Sequence, residues 1–318
     1  MQLIKSHYHN CFSINLCSIL ARFNKNNNLF WHQAGLYYEK GNDGLPIITT
    51  SYKDFRKLLG EFGVNAKVYK FKEVTEIIDS IKEFISNKHV ISLELDCYEL
   101  PYCLSYQGEH DLHWLEIVDY KNGKFYAFDH YFGYMGEIEE KVLEKSLESL
   151  KKSYNLEYNQ FFISIDLGGM CEFNENWHDQ NIYLNQKVMF ENYLGDCVNE
   201  SEEYTLGINA INSLEKDTII LIDKLRQSRT NKLDKKFEAY FLAFKEIANS
   251  RYNYSVYLEE IKRENLSEIN EVLFQNWRAV ANILMKGFYS GNFEKTEDRI
   301  IKRLDKIKNL EYQLKINS

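Results

Sequence analysis

The sequence predicts an α+β chain in two domains, residues 1–170 and 171–318, on three observations. Short β-type runs alternate with amphipathic helical ones through the first half. Lys121-Asn122-Gly123-Lys124 lies between two apolar strand patterns as a hairpin signal. Beyond about Tyr183 the pattern is almost wholly helical, with no proline after Pro101.

The elements follow in order. Phe12 to Phe23 places Ile14, Cys17 and Leu20 at helical spacing. Tyr52 to Phe62 and Val74 to Ser86 are amphipathic helices, the first closed by Gly63. Val90 to Leu95 is a buried-strand pattern, and His113 to Tyr120 and Phe125 to Tyr131 flank the hairpin turn. Gln160 to Asp166 closes a small antiparallel sheet. Gly168-Gly169 and the polar stretch Asn174 to Asn181 read as a linker. Helices are expected over 204–228, 233–264, 267–290 and 295–314.

Composition narrows the function. The chain has 318 residues, 44% hydrophobic and 27% charged, the balance of a soluble globular protein with core enough for two domains. A net charge of −8 disfavours a nucleic-acid partner. Met1 to His7 has no apolar signal region, and runs such as Thr218 to Ile222 are too short to span a bilayer. A cytoplasmic chain with no membrane partner is expected. Six cysteines without a CxxC pair read as reduced thiols, which disfavours a zinc ribbon or a redox pair; no cofactor or metal is expected of the chain itself.

Cys11 stands where an apolar helix begins. The helix dipole and free backbone N–H groups there favour a thiolate, and the same N–H groups suit an oxyanion. The bland alternative is a buried structural cysteine. His113 opens a strand, and Asp129 lies on the strand that hairpins back. A three-residue loop with Gly123 in a left-handed bulge sets Leu115 opposite Asp129, with His113 diagonal on the same face. A two-residue loop sets them on opposite faces. Cys11, His113 and Asp129 then form a nucleophile, base and orienting acid in the chain order of papain-like enzymes.

His9-Asn10-Cys11, Asp96 with Leu100-Pro101-Tyr102, and the run His110 to Tyr120 followed by Phe128-Asp129 resemble the N-terminal domain family of butirosin biosynthesis protein H, relatives of the C39 cysteine peptidases. The resemblance covers about residues 7–166. It implies a papain-like or C39-like fold, with an N-terminal helix packed on a small antiparallel sheet and a C-terminal helical domain appended. It also implies amide formation from an acyl thioester on an acyl or peptidyl carrier protein, with an amine acceptor such as a polyamine or diamine. Phosphopantetheine enters only on that carrier. Two positions depart from the family pattern: Lys5 stands where a glutamine completes the oxyanion hole, and Asn10 precedes the cysteine in place of histidine. Asn10 either caps the helix or serves the oxyanion.

Other readings stay open. Tyr102, Trp114 and Tyr131 are core aromatics or walls around an acyl-enzyme. The basic run from Lys224 to Lys236, with Arg226, Arg229 and Lys232, is a solvated helix end or a dock for an acidic carrier and its phosphate. His110, His113 and Asp129 offer a metal set, though histidines three apart at a loop–strand junction point in different directions. A peptidase or thioester hydrolase shares the acyl-enzyme with a transferase. A degenerate protease scaffold bearing a partner-binding bundle is the non-enzymatic alternative.

Overall fold

A computed structural model describes residues 2–169, 173–195, 204–228 and 235–317. Its first elements are α1 (Cys11–Arg22), α2 (Asn27–Phe30), β1 (Tyr37–Lys40), β2 (Pro46–Thr49), α3 (Phe55–Glu61), β3 (Val64–Phe71) and α4 (Val74–Ser86). Next come β4 (Ile91–Asp96), a 3-10 turn (Cys97–Glu99), β5 (Leu112–Lys121), β6 (Lys124–Asp129), β7 (Tyr134–Glu139), α5 (Glu140–Ser153) and β8 (Asn159–Asp166). The remainder is α6 (Glu175–Phe190), β9 (Thr205–Leu206), α7 (Gly207–Ser228), α8 (Lys235–Glu260), α9 (Glu264–Ser290) and α10 (Phe293–Asn317). The α+β class and the helical second half are as the sequence predicts. Among the described residues no helix is long and apolar enough to cross a membrane.

Two compact units divide the chain. Residues 1–27 and 55–171 form the first, and residues 28–54 and 172–318 the second. In the first unit an antiparallel sheet runs in the order β3-β8-β4-β5-β6-β7. Side chains alternate along a strand, so β5 presents His113, Leu115 and Ile117 to one side and Trp114 and Glu116 to the other. Against Leu115 and Ile117 lie Ile77 and Ile81 of α4 and Leu143 and Leu147 of α5, all buried. Each fully buried Leu or Ile of this cluster contributes roughly 1.5–3 kcal/mol. On the other side α1 sets Phe12 edge-on to Trp114, 5.2 Å between ring centroids, and joins Arg22 to Glu116.

The second unit departs from a boundary at 170/171, because residues 28–54 belong to it. There β1 pairs with both β2 and β9, with Tyr37 opposite Leu206. Leu36 and Tyr38 enter a core built on Phe237, Phe244, Trp277 and Ile300. At the junction of β9 and α7, Gly207 has φ +53°, and an added Cβ would lie 2.0 Å from the Met189 carbonyl oxygen. Only glycine fits.

The supposed linker Asn174 to Asn181 lies largely within α6. Its inward face is polar, which hides its helical period. Asn185 accepts the Ala34 N–H and donates to the His32 carbonyl, and the His178 ring meets the Tyr257 hydroxyl at 3.0 Å. A fully buried ion pair, Arg251 with Glu311, joins α8 to α10, and Arg251 also donates to the Ala34 carbonyl. Removing one partner of such a pair leaves the other charged and dry. Arg251→Ala is therefore expected to destabilise the protein by about 3–5 kcal/mol. Arg251→Met with Glu311→Leu should recover most of that loss; urea titration followed by circular dichroism checks both. A single variant as stable as the parent would show that the pair is not held dry.

Candidate active site

The hairpin decides the site. Its turn is the two-residue Asn122-Gly123, φ +53° and +75°, with Lys121 opposite Lys124. Asparagine and glycine tolerate these left-handed angles, and their twist matches the strands. Of the two loops open from the sequence, this is the two-residue one. By itself the two-residue register would put His113 and Asp129 on opposite faces. A bulge between Ile117 and Asp119 inserts one residue, Val118, so that Glu116 faces Phe128. One step further sets Leu115 opposite Asp129, with His113 on the same face after all.

His113 Nε2 meets Asp129 Oδ2 at 2.7 Å, and both side chains are buried. Asp129 Oδ1 accepts the N–H groups of Tyr131 and Phe132, at 3.1 and 3.0 Å, which fixes the carboxylate plane. With Nε2 committed to Asp129, Nδ1 is the other ring nitrogen, and Cys11 is close enough to His113 to raise its pKa. Burial pushes the His113 pKa down. The hydrogen bonds and charges of Asp129 and Cys11 outweigh it and hold the pKa up at about 10. Cys11 is the first residue of α1 and half-buried. Asn10 caps that helix, its Oδ1 accepting from Ser13 N at 2.8 Å and from Ser13 Oγ at 2.7 Å.

The other sequence candidates fall in different places. Tyr131, 52% exposed, stands 5.9 Å from the His113 ring. Tyr102 stacks on Tyr134 at 3.8 Å, and its buried hydroxyl faces Asp129 without a hydrogen bond of ordinary geometry. Burial, more than any neighbour, pushes that phenol up. Trp114 points to the opposite side of β5 from His113, and its ring packs against Phe12 and Phe162. In the second unit Arg226 pairs with Asp223 at 2.8 Å and Glu297 at 2.7 Å, in a cleft that Glu294 and Asp298 also line. A guanidinium so matched is poorly placed to hold an acidic partner. Arg229 and Lys232 lie outside the described residues.

His110 and His113 are committed to different carboxylates. His110 Nδ1 meets Asp96 Oδ2 at 2.7 Å. Asp96 is buried and also accepts from Ser149 Oγ and from the N–H groups of Tyr98 and Asp111. These contacts, burial notwithstanding, keep its pKa below the usual carboxylate value. Among the described residues no group of His, Cys, Asp and Glu is arranged to hold a metal ion.

A further network escapes sequence reasoning. Glu116 is buried and accepts from Arg22 Nε and Nη2. The Ile4 N–H donates to His130 Nδ1 at 3.1 Å, which assigns the proton of a neutral His130 to Nε2, facing Glu116 Oε1 at 3.6 Å. Burial raises the Glu116 pKa, but His130 and Arg22 together bring it below the ordinary value. A glutamate inside the apolar run Trp114-Leu115-Glu116-Ile117 was the available signal.

Comparison of the chain with protein-family models and with curated proteins gives no match.

The His113 pKa gives a sign. It is raised above the unfolded value of about 6.5, so the stabilisation from the pair is complete below pH ~6.5 and is lost as pH rises towards 10. The difference in Tm between the parent and Asp129→Asn should be widest near pH 6 and shrink by pH 10. A difference independent of pH over that range would dissociate Asp129 from the charge on His113.

Proposed function

We propose that the chain is a cysteine-dependent acyltransferase of papain-like architecture, forming an amide from a carrier-bound acyl thioester and an amine in the cytoplasm. One observation carries the reading: a buried imidazole anchored at Nε2 by a carboxylate, with its pKa raised also by a half-buried cysteine at a helix N-terminus. Helix α1 packed on an antiparallel sheet supports the papain-like assignment.

The chemistry follows from these positions. The Cys11 sulfur attacks the thioester carbonyl as thiolate, its proton residing on His113. Asn10 already engages the Ser13 N–H, so the N–H groups of Cys11 and Phe12 are the first-turn donors left for the tetrahedral oxyanion. As the carbon–sulfur bond to the carrier's phosphopantetheine breaks, His113 protonates the departing thiol. The acyl group is then a Cys11 thioester. A neutral amine attacks it, His113 takes the amine proton, and the bond to Cys11 breaks to release the amide and restore the thiolate. Asp129 keeps the imidazole oriented and balances its charge through both half-reactions. Water in place of the amine gives hydrolysis, so the same site would serve a peptidase or thioesterase.

Incubation with an acylated carrier protein, followed by intact-mass measurement, is expected to show a single acyl adduct, absent in Cys11→Ala. Adding an amine should discharge it as amide faster than as free acid. Predominant release of acid would favour a hydrolase, and a parent chain that takes up no acyl group at all would overturn the reading. His113→Ala should lower the acylation rate by at least ~100-fold, the usual scale for losing a general base.

A further inference from the structure

The second unit holds a cavity that the chemistry proposed above does not use. Helices α6, α8, α9 and α10 surround it, half-open to solvent, with a volume of about 30 Å³. That is room for the centres of about two or three water-sized groups. Ile182, Met189 and Leu266 form apolar walls, and the buried Arg251–Glu311 pair lies at its edge. Spaces between the helices of a bundle, with apolar walls and a few polar groups, are favoured places for small molecules.

The polar groups around it fall into two sets. Asn185 is spent: its Oδ1 accepts the Ala34 N–H, and its Nδ2 donates to the carbonyls of His32 and Asn181. Arg251 donates to Glu311 Oε1, the Ala34 carbonyl and Met189 Sδ. Three atoms remain. Asn270 is fully buried, and its Nδ2 donates to the Leu266 carbonyl, which fixes the amide and leaves Oδ1 without a partner. Gln186 Nε2 is buried and makes no hydrogen bond among the described residues. Glu311 meets Arg251 through Oε1, which leaves Oε2 open. An unpaired buried polar atom is destabilising, and three around one small cavity point to a ligand that pairs them.

The same atoms specify its chemistry. Asn270 Oδ1 and Glu311 Oε2 accept and Gln186 Nε2 donates, so the ligand offers two donors and one acceptor. Arg251 already balances Glu311. An ammonium would therefore enter the interior uncompensated, and a carboxylate would meet the like charge of Glu311. A hydroxyl has a single donor. A primary carboxamide carries two N–H groups and a carbonyl in one plane, without charge, and its three heavy atoms suit the narrow space. We propose that this cavity binds a small aliphatic molecule by a primary carboxamide head. The N–H groups fall to Asn270 Oδ1 and Glu311 Oε2, the carbonyl to Gln186 Nε2, and the alkyl body lies along Ile182, Met189 and Leu266.

Four probes with the same alkyl chain separate the contributions: pentanamide, N,N-dimethylpentanamide, pentanoate and pentylamine. Binding to the full chain is measured by isothermal titration calorimetry, with the rise in Tm at equal probe concentration as a second readout. Pentanamide is expected to bind, and the other three at least about tenfold more weakly, the scale of one lost hydrogen bond. Asn270→Leu should weaken pentanamide by a similar factor without lowering the Tm of the free protein, because it removes an unpaired polar atom from the interior. The probe series is read on the parent alone, so it decides the matter even if that variant folds poorly. No binding of pentanamide to the parent, which would leave the cavity to water, overturns the proposal. Equal binding of all four probes overturns it too, since the cavity would then read only the alkyl chain, and so does unchanged pentanamide affinity in a folded Asn270→Leu.

Discussion

Parity along a β-strand is the constraint on which the site depends. Successive side chains face opposite ways, so a base on one strand and its orienting acid on the next can meet only in one of two registers. Here the turn chosen by Asn122-Gly123 gives the register that would separate them, and the extra residue at Val118 reverses it before the strand reaches His113. The turn keeps the geometry that the strand twist prefers, and the bulge takes up the odd residue in the middle of the ladder. Both local preferences are met, and the His113–Asp129 bond results.

Around that bond the carboxylates divide by the company they keep. Asp129 holds two backbone N–H groups and one imidazole, Asp96 two N–H groups, a hydroxyl and another imidazole, and Glu116 an arginine beside a third imidazole. All three are buried; Asp129 and Asp96 are satisfied by hydrogen bonds, whereas Glu116 Oε1 has only the His130 ring at 3.6 Å beside it. They fix the start of β5, the end of β6, and α1 through Arg22. Rigidity at His113 follows from polar bonds made in the interior, while the apolar cluster behind β5 supplies the support.

The residue types of the site were legible in the sequence, and so were most elements that carry it: α1, α4, β4, β5, β6 and β8 lie within a few residues of their expected positions. What was hidden has physical causes. Val118 is an ordinary β-branched residue in an apolar strand, and nothing in its type marks a bulge. Helix α6 buries asparagines and a histidine in place of leucines, so a hydrophobic period cannot reveal it. Trp114 reads as a site aromatic only until the alternation of β5 turns it to the face beneath α1. Arg226 reads as a free cation only until α10 supplies Glu297. Pairing between distant segments settles each case, and a local pattern carries no record of it.

The interleaved chain path of the two units bears on how the protein is made. Strand β1 leaves the ribosome early, but its partner β9 and the helices that bury Leu36 and Tyr38 emerge only after the whole first unit has been synthesised. At ordinary elongation rates that interval is several seconds or more, long against the time in which a small domain folds. The first unit can thus close on α1 and its own sheet while residues 28–54 have only their β1–β2 hairpin and still lack β9 and the helices that bury Leu36 and Tyr38.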